Sequence, residues 1–113
     1  MIANYKDGRA RDGRSVGSGS GIGNIKDGRV KDGNAVGSGR TLGNFKDGRV
    51  KDGSSVGSGR TLFNVKDGKV RDGSSVGSGK TIGKVEDFII KGMGKRPDDE
   101  IVAAYHFLIK NIV

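Results

Sequence analysis

Apolar and polar residues alternate over short stretches along most of the chain. In residues 45–50, with the sequence FKDGRV, an apolar residue and a basic residue stand on each side of an Asp-Gly pair. Asp-Gly is one of the few dipeptides that tolerate positive φ at both central positions of a type I′ turn. The stretch therefore predicts a β-hairpin with its turn at Asp47-Gly48, in which Phe45 and Val50 face each other across the two strands.

The same stretch recurs every 20 residues without an insertion. Each copy continues through a second Asp-Gly pair, which predicts a further turn, and a Val-Gly-Ser-Gly segment. We expect Val56 of that segment to form an apolar cluster with Leu62. A fifth copy begins at Lys84 and then departs, because Phe88 takes the place of the turn glycine. The four complete copies begin at Asn4, Asn24, Asn44 and Asn64, and their predicted apolar pairs are Tyr5/Ala10, Ile25/Val30, Phe45/Val50 and Val65/Val70.

A single hairpin cannot bury its own apolar face, so the copies must pack together. One arrangement is a β-solenoid, in which each copy is a coil stacked on the previous one. The other is a radial array of hairpins around a pseudo-five-fold axis. A solenoid would stack Lys26, Lys46 and Lys66 about 4.8 Å apart, and like charges in direct opposition are destabilising. We therefore favour the radial array and keep the solenoid as the alternative.

The repeat core can be written DG-x-V-x-D, followed by a glycine, one residue and T-[LI]-G. This core resembles that of the bacterial five-fold beta-flower proteins over residues 1–92. The resemblance implies a mainly β fold of five hairpins in a radial array and implies no established activity. The matching residues are Asp47-Gly48, Val50, Asp52, Gly59, Thr61 and Leu62, with Gly43 in the equivalent last position.

The composition changes after residue 92, where a loop and a C-terminal α-helix are predicted for residues 93–113. Pro97 suits a helix start, and the acidic residues 98–100 suit the positive end of the helix dipole. We expect the helix to pack on the five-repeat β domain of residues 1–92, so that the chain forms one domain. The alternative is that the helix mediates self-association or binds a protein partner. Its broad apolar surface comprises Ile101, Val102, Ala104, Tyr105, Phe107, Leu108, Ile109, Ile112 and Val113.

The net charge of the chain is +8, and the excess of basic residues lies within residues 1–80. Basic surfaces attract polyanions through counterion release. The candidate polyanion contacts are Lys26, Arg29, Lys31, Lys46, Arg49, Lys51, Lys66, Lys69 and Arg71. A second candidate feature is a central polar ring that holds water or a small polar ligand. Its residues would be Asn4, Asn24, Asn44 and Asn64. We favour the simpler interpretation, in which each of these side chains bonds neighbouring backbone, and keep the ring as the alternative.

Several catalytic and cofactor motifs are absent or incomplete. The chain has no cysteine, which excludes disulfides, thiolate metal sites and a cysteine nucleophile. Residues 77–81 read GSGKT, but Ser74 stands where a phosphate-binding P-loop needs its first glycine. The Asp-Gly pairs are explained by turns without calcium. The lone His106 is expected to be a solvated or capping residue. We predict no catalytic residue, no metal and no cofactor.

These observations leave the function unknown and favour a non-enzymatic structural or protein-interaction module. The alternative is a basic surface that binds nucleic acid or another polyanion, even if weakly. No stretch approaches the roughly 18 consecutive apolar residues of a membrane span, and the first residues enter the repeat without an apolar signal core. We therefore expect no membrane association and favour a cytoplasmic location.

Overall fold

A computed structural model of the chain describes residues 3–112. Within that range the fold is mainly β, with nine short strands, one turn of 3-10 helix (η1) and one α-helix near the C-terminus. The elements are β1 Ala3–Lys6, β2 Arg9–Asp12, β3 Ser20–Lys26, β4 Arg29–Lys31, β5 Thr41–Lys46, β6 Arg49–Lys51, β7 Thr61–Lys66, β8 Lys69–Arg71, β9 Thr81–Lys84, η1 Val85–Phe88 and α1 Asp98–Leu108.

The strands form one open antiparallel sheet in which they follow chain order from β1 to β9. The predicted hairpin register is confirmed: Phe45 pairs with Val50, and the same positions pair in copies 1, 2 and 4. Asp47 and Gly48 have φ values of 51° and 82°, as a type I′ turn requires. The solenoid alternative is wrong, because consecutive strands pair antiparallel instead of stacking as parallel coils.

The fifth copy does not form a hairpin, so the expectation of five hairpins is wrong for this copy. Its first strand, β9, is followed directly by η1. The physical reason is local, because Phe88 stands at the position where the other copies have a glycine with positive φ, and a bulky residue rarely adopts that conformation. The sheet therefore contains four hairpins and one additional strand.

Two features recur in each copy and shape the sheet. Between the second strand of a copy and the next copy, the register shifts by one residue, which leaves a bulge at Leu62 and its equivalents. Each first strand also bonds to the preceding hairpin tip, since the Phe45 N–H donates to the Gly28 carbonyl oxygen at 2.9 Å. The equivalent bonds are Ile25 to Gly8, Val65 to Gly48 and Val85 to Gly68, and in copy 1 Tyr5 donates to Lys91 at 2.7 Å.

Helix α1 packs across one face of the sheet, at glycines that leave room for its side chains. A methyl group on the Cα of Gly43 would lie 2.1 Å from Cζ of Phe107, and one on Gly23 would lie 2.4 Å from Cδ2 of Leu108. At the equivalent position in copy 3 the chain has Phe63, which is fully buried. The core is formed by these contacts, the hairpin valines and the buried helix residues Ile101, Val102, Ala103 and Ala104.

The predicted cluster of Val56 with Leu62 is wrong. Val56 is 37% exposed, whereas Leu62 packs at the edge of the core. The reason is that Gly57 and Gly59 both adopt positive φ and turn the loop away from Leu62. The predicted spans 1–92 and 93–113 include Met1, Ile2 and Val113, which lie outside the described residues.

Candidate anion-binding surface

The two faces of the sheet carry different residues, because successive side chains of a strand point to opposite faces. On β5, Gly43 and Phe45 belong to the face that α1 covers, which we call the helix face. Asn44 and Lys46 therefore belong to the opposite face, which we call the loop face. Across the hairpin, Arg49 pairs with Lys46 and Lys51 pairs with Asn44, so both cations lie on the loop face as well.

A buried asparagine fastens the loop of each copy onto the loop face. Asn44 is fully buried, and its Nδ2 donates to the carbonyl oxygens of Gly53 at 2.9 Å and Ser58 at 3.1 Å. Its Oδ1 accepts the Gly57 N–H at 2.9 Å. The same contacts to the neighbouring backbone recur in the other three copies, at Asn4, Asn24 and Asn64. These bonds support the interpretation in which each asparagine bonds neighbouring backbone instead of lining a ligand-holding ring.

The folded loop and the hairpin tip enclose a shallow polar depression in each of copies 1–4. The volumes of the four depressions range from about 160 to about 270 Å³. Each is lined by three cations, the turn aspartate and the glycine after the loop valine. The linings are Lys6, Asp7, Arg9, Arg11 and Gly17; Lys26, Asp27, Arg29, Lys31 and Gly37; Lys46, Asp47, Arg49, Lys51 and Gly57; and Lys66, Asp67, Lys69, Arg71 and Gly77.

Each depression keeps an excess of positive charge. Among residues 3–112, no salt bridge within 4.0 Å involves any cation of the four depressions. Some of the strand cations instead hydrogen-bond to the loop backbone. Lys51 Nζ donates to the Gly57 carbonyl oxygen at 3.3 Å. Lys31 makes the same contact with Gly37. An anion placed in a depression would therefore meet three cations that form no salt bridge with the one aspartate lining it.

The structure brings all nine predicted polyanion contacts into depressions, three in each of copies 2, 3 and 4. The equivalent cations of copy 1, which the sequence-based prediction did not include, are Lys6, Arg9 and Arg11. The strict 20-residue spacing carried enough information to identify them. The contribution of the loop glycines could not be predicted from this spacing. Only the loop fastened by the asparagine brings Gly57 and its equivalents beside the cations.

His106 is not solvated, so that part of its prediction is wrong. It is 6% exposed, and its ring contacts the edges of Phe63 and Phe107. Burial lowers the pKa of His106 below its ordinary value because desolvation disfavours the charged form. Its Nδ1 accepts the N–H of Ile112 at 2.8 Å, just beyond the end of α1. His106 therefore acts as a core residue that also satisfies backbone at the end of the helix.

One buried acid lies near the first strand. Glu100 is 5% exposed and accepts two hydrogen bonds from the Arg96 guanidinium, at 2.6 and 3.0 Å. This pairing raises the pKa of Arg96 above its usual range. The pKa of Tyr5 is raised above its ordinary value, mainly by burial and to a smaller extent by the negative charge of Glu100. Arg96 lies just before α1 and Glu100 lies in its first turn, so the pair ties the start of the helix to the residues before it.

Among residues 3–112 there is no group of three histidine, cysteine or acidic side chains placed to hold a metal ion. No helix in that range is both long and apolar enough to cross a membrane. The chain matches no protein-family model, no curated protein and no solved structure.

Proposed function

We propose that this protein is a non-enzymatic binding module whose loop face takes a polyanion. The observation that carries the proposal is the fourfold recurrence of one basic depression, with a lysine or arginine at the same three places in each copy. A site for a small molecule needs one set of convergent unlike groups. A row of like sites instead suits a polymer that repeats its own charge.

The chemistry of each depression suits phosphate or another compact anion. Arginine offers a planar fork of donors, and lysine offers a mobile point charge. Both types line the depressions of copies 1–4, together with loop backbone that glycine leaves uncovered. Binding releases the counterions condensed on the polymer, so the affinity should fall steeply with salt.

A protein partner on the helix is less well supported. The side chains of Ile101, Val102, Ala103 and Ala104 are at most 3% exposed, because α1 already packs on the helix face. A partner that used this apolar surface would first have to displace the helix from its own sheet. The loop face is therefore the better supported binding surface of the intact fold.

The experiment is fluorescence anisotropy with labelled single-stranded and double-stranded DNA and RNA and with polyphosphate, at about 50 and 200 mM salt. The test variant is Arg49→Gln with Lys69→Gln, which removes one cation from each of two depressions. The matched control is Arg40→Gln with Arg60→Gln. It removes the same charge from exposed positions that line none of the four depressions.

We expect the test variant to bind more weakly and to reduce the salt slope by about 1 for each lost phosphate contact. The control should keep a slope close to that of the wild type. Equal weakening in both variants would mean that only the overall charge attracts the polymer, and the depressions would then have no specific role. No binding at the lower salt would overturn the proposal.

We further propose that the copies are arranged radially with pseudo-five-fold symmetry, as the resemblance to the beta-flower proteins implies. The support is the set of five equivalent hydrogen bonds, in which Tyr5 of copy 1 uses Lys91 as the other copies use a preceding tip glycine. Lys84 ends β9, and the seven residues from there to Lys91 span at most about 25 Å. A flat sheet of nine strands would separate its edges by about 38 Å, so the sheet must curve.

Spin-label distances between hairpin tips test this arrangement. Labels at cysteines replacing Lys6 and Lys46 report copies 1 and 3, and labels replacing Lys6 and Lys66 report copies 1 and 4. A five-fold ring makes these two distances equal, because both pairs are next-nearest neighbours. An open array makes the distance between copies 1 and 4 clearly longer, which would refute the radial arrangement.

A further inference from the structure

Consecutive copies make a small apolar contact between a hairpin tip and the loop of the next copy. A methyl group on the Cα of Gly28 would lie 3.0 Å from Cγ2 of Val56, so the valine side chain rests against the tip. The same contact joins Gly8 to Val36, at 3.1 Å, and Gly48 to Val76, at 3.4 Å. The contact thus occurs at each tip that is followed by a complete copy.

The tip of copy 4 lacks this contact. Within residues 3–112, no atom outside the chain neighbours lies within 4 Å of a methyl group placed on Gly68. The fifth copy has no Val-Gly-Ser-Gly loop to cover it. A groove of about 330 Å³ is found there instead, between the tip and the start of α1, and its apolar walls are Val85, Ile89 and Ile101. Ile89 is 40% exposed, one of the few large apolar side chains on the surface of residues 3–112.

The first copy has a loop whose valine has no complete copy before it. Val16 is 46% exposed, the highest value among the exposed large apolar side chains described. This loop also differs in charge, because it carries Arg14 where the other copies have Asn34, Ser54 and Ser74. The groove beside Gly68 is lined by the carboxylates Glu86 and Asp98 together with Lys84, whose Nζ lies 4.0 Å from Glu86.

We propose that the groove beside Gly68 binds the Arg14–Val16 loop of a second copy of this chain. The valine repeats between molecules the contact that three valines make within one molecule. Arg14 is the cation that the groove carboxylates select, since no other loop offers one at this position. Each contact joins the loop of one molecule to the groove of the next, and each molecule has one of both. The association is therefore head to tail.

The contact is small, so the association is weak and depends on concentration. Sedimentation velocity from about 10 to 500 µM, the range in which small interfaces form, should show species that grow beyond the dimer. Two variants each remove one side of the contact. The loop variant is Arg14→Glu with Val16→Ser, and the groove variant is Ile89→Lys. Circular dichroism and thermal melts confirm that each variant is folded.

Each variant alone should remain monomeric. An equimolar mixture of the two should form one kind of contact, because the loop variant supplies an intact groove and the groove variant supplies an intact loop. That single pairing should give dimers and nothing larger. The control is Val76→Ser, whose valine is used within its own molecule, and it should self-associate like the wild type.

In that mixture every loop-to-groove contact of the wild-type chain is lost except one, which joins the loop of the groove variant to the groove of the loop variant. Heterodimers in the mixture, with monomers in each separate sample, are the result that supports the proposal. A wild-type chain that stays monomeric over the whole range would overturn it. Association that survives in either variant alone would also overturn it, because it would have to use another surface.

Discussion

The phenyl ring of Phe63 meets the imidazole of His106 edge-on, with the ring centroids 5.2 Å apart and the planes inclined at 62°. The equivalent residue of the other copies is a glycine that makes room for another large side chain, as Gly43 does for Phe107. Helix α1 is therefore matched to the sheet residue by residue, although the sheet itself is nearly repetitive. A single bulky residue in one copy breaks the symmetry and gives the helix a unique place.

The burial of His106 predicts a pH dependence of stability. Desolvation lowers the pKa of His106 in the folded state. Below about pH 6.5, the ordinary histidine pKa, the unfolded chain therefore binds more protons than the folded one. The stabilising contribution is fully present above that pH and is lost as the pH falls toward the lowered folded pKa. Urea unfolding between about pH 5 and 7.5 should show this decline in the wild type and a smaller one in His106→Gln. An equal slope in both would contradict the assignment.

Removing the amide of Asn44 should destabilise the fold strongly. Asn44→Ala would leave the carbonyls of Gly53 and Ser58 and the N–H of Gly57 without their partner. We expect a loss of about 3 kcal/mol in the free energy of unfolding, since unsatisfied buried polar groups are costly. Ser54→Ala in the same loop is the control and should change the stability by less than about 0.5 kcal/mol. A small loss in Asn44→Ala would show that the loop is held by other contacts.

The glycines under α1 should not tolerate a side chain. In Gly43→Ala the new methyl group would collide with the Phe107 ring, and overpacking of this kind costs about 2 kcal/mol. Gly94→Ala is a matched control, because no atom of the described part of the chain lies within 4 Å of its methyl group. Chemical denaturation of both variants checks the prediction. If Gly43→Ala were as stable as Gly94→Ala, the helix would not be seated as described.

The Arg96–Glu100 pair gives a further prediction. Arg96→Met would leave the buried Glu100 carboxylate without its two hydrogen bonds. We expect a loss of about 2 kcal/mol, less than for a fully buried pair because Arg96 is half exposed. Adding Glu100→Gln should restore part of the loss, since the buried charge is then removed. A double variant that is less stable than Arg96→Met would contradict this account of the pair.

The hairpins could be predicted from the sequence because their determinants are local. Asp47 and Gly48 accept positive φ at neighbouring positions, and the flanking residues alternate with the period of a strand. Register followed directly, since the centre of the turn decides which residues face each other. The same local reasoning identified Phe88 as a departure from the repeat. The expectation of a fifth hairpin was nevertheless wrong, because Phe88 replaces the turn glycine. The strict spacing likewise grouped the cations that line the depressions.

The burial of His106, the fastening of the loops by Asn44 and its equivalents, and the place of Val56 were decided only by the tertiary structure. Each depends on residues that are distant in the sequence: His106 is buried by Phe63, and Val56 rests on the tip of the previous copy. Sequence periodicity describes the faces of single elements and does not specify which surfaces will cover them. The amino-acid sequence by itself thus determined the repeating unit and its charges. Long-range packing decided which charges share a depression and which side chains are buried.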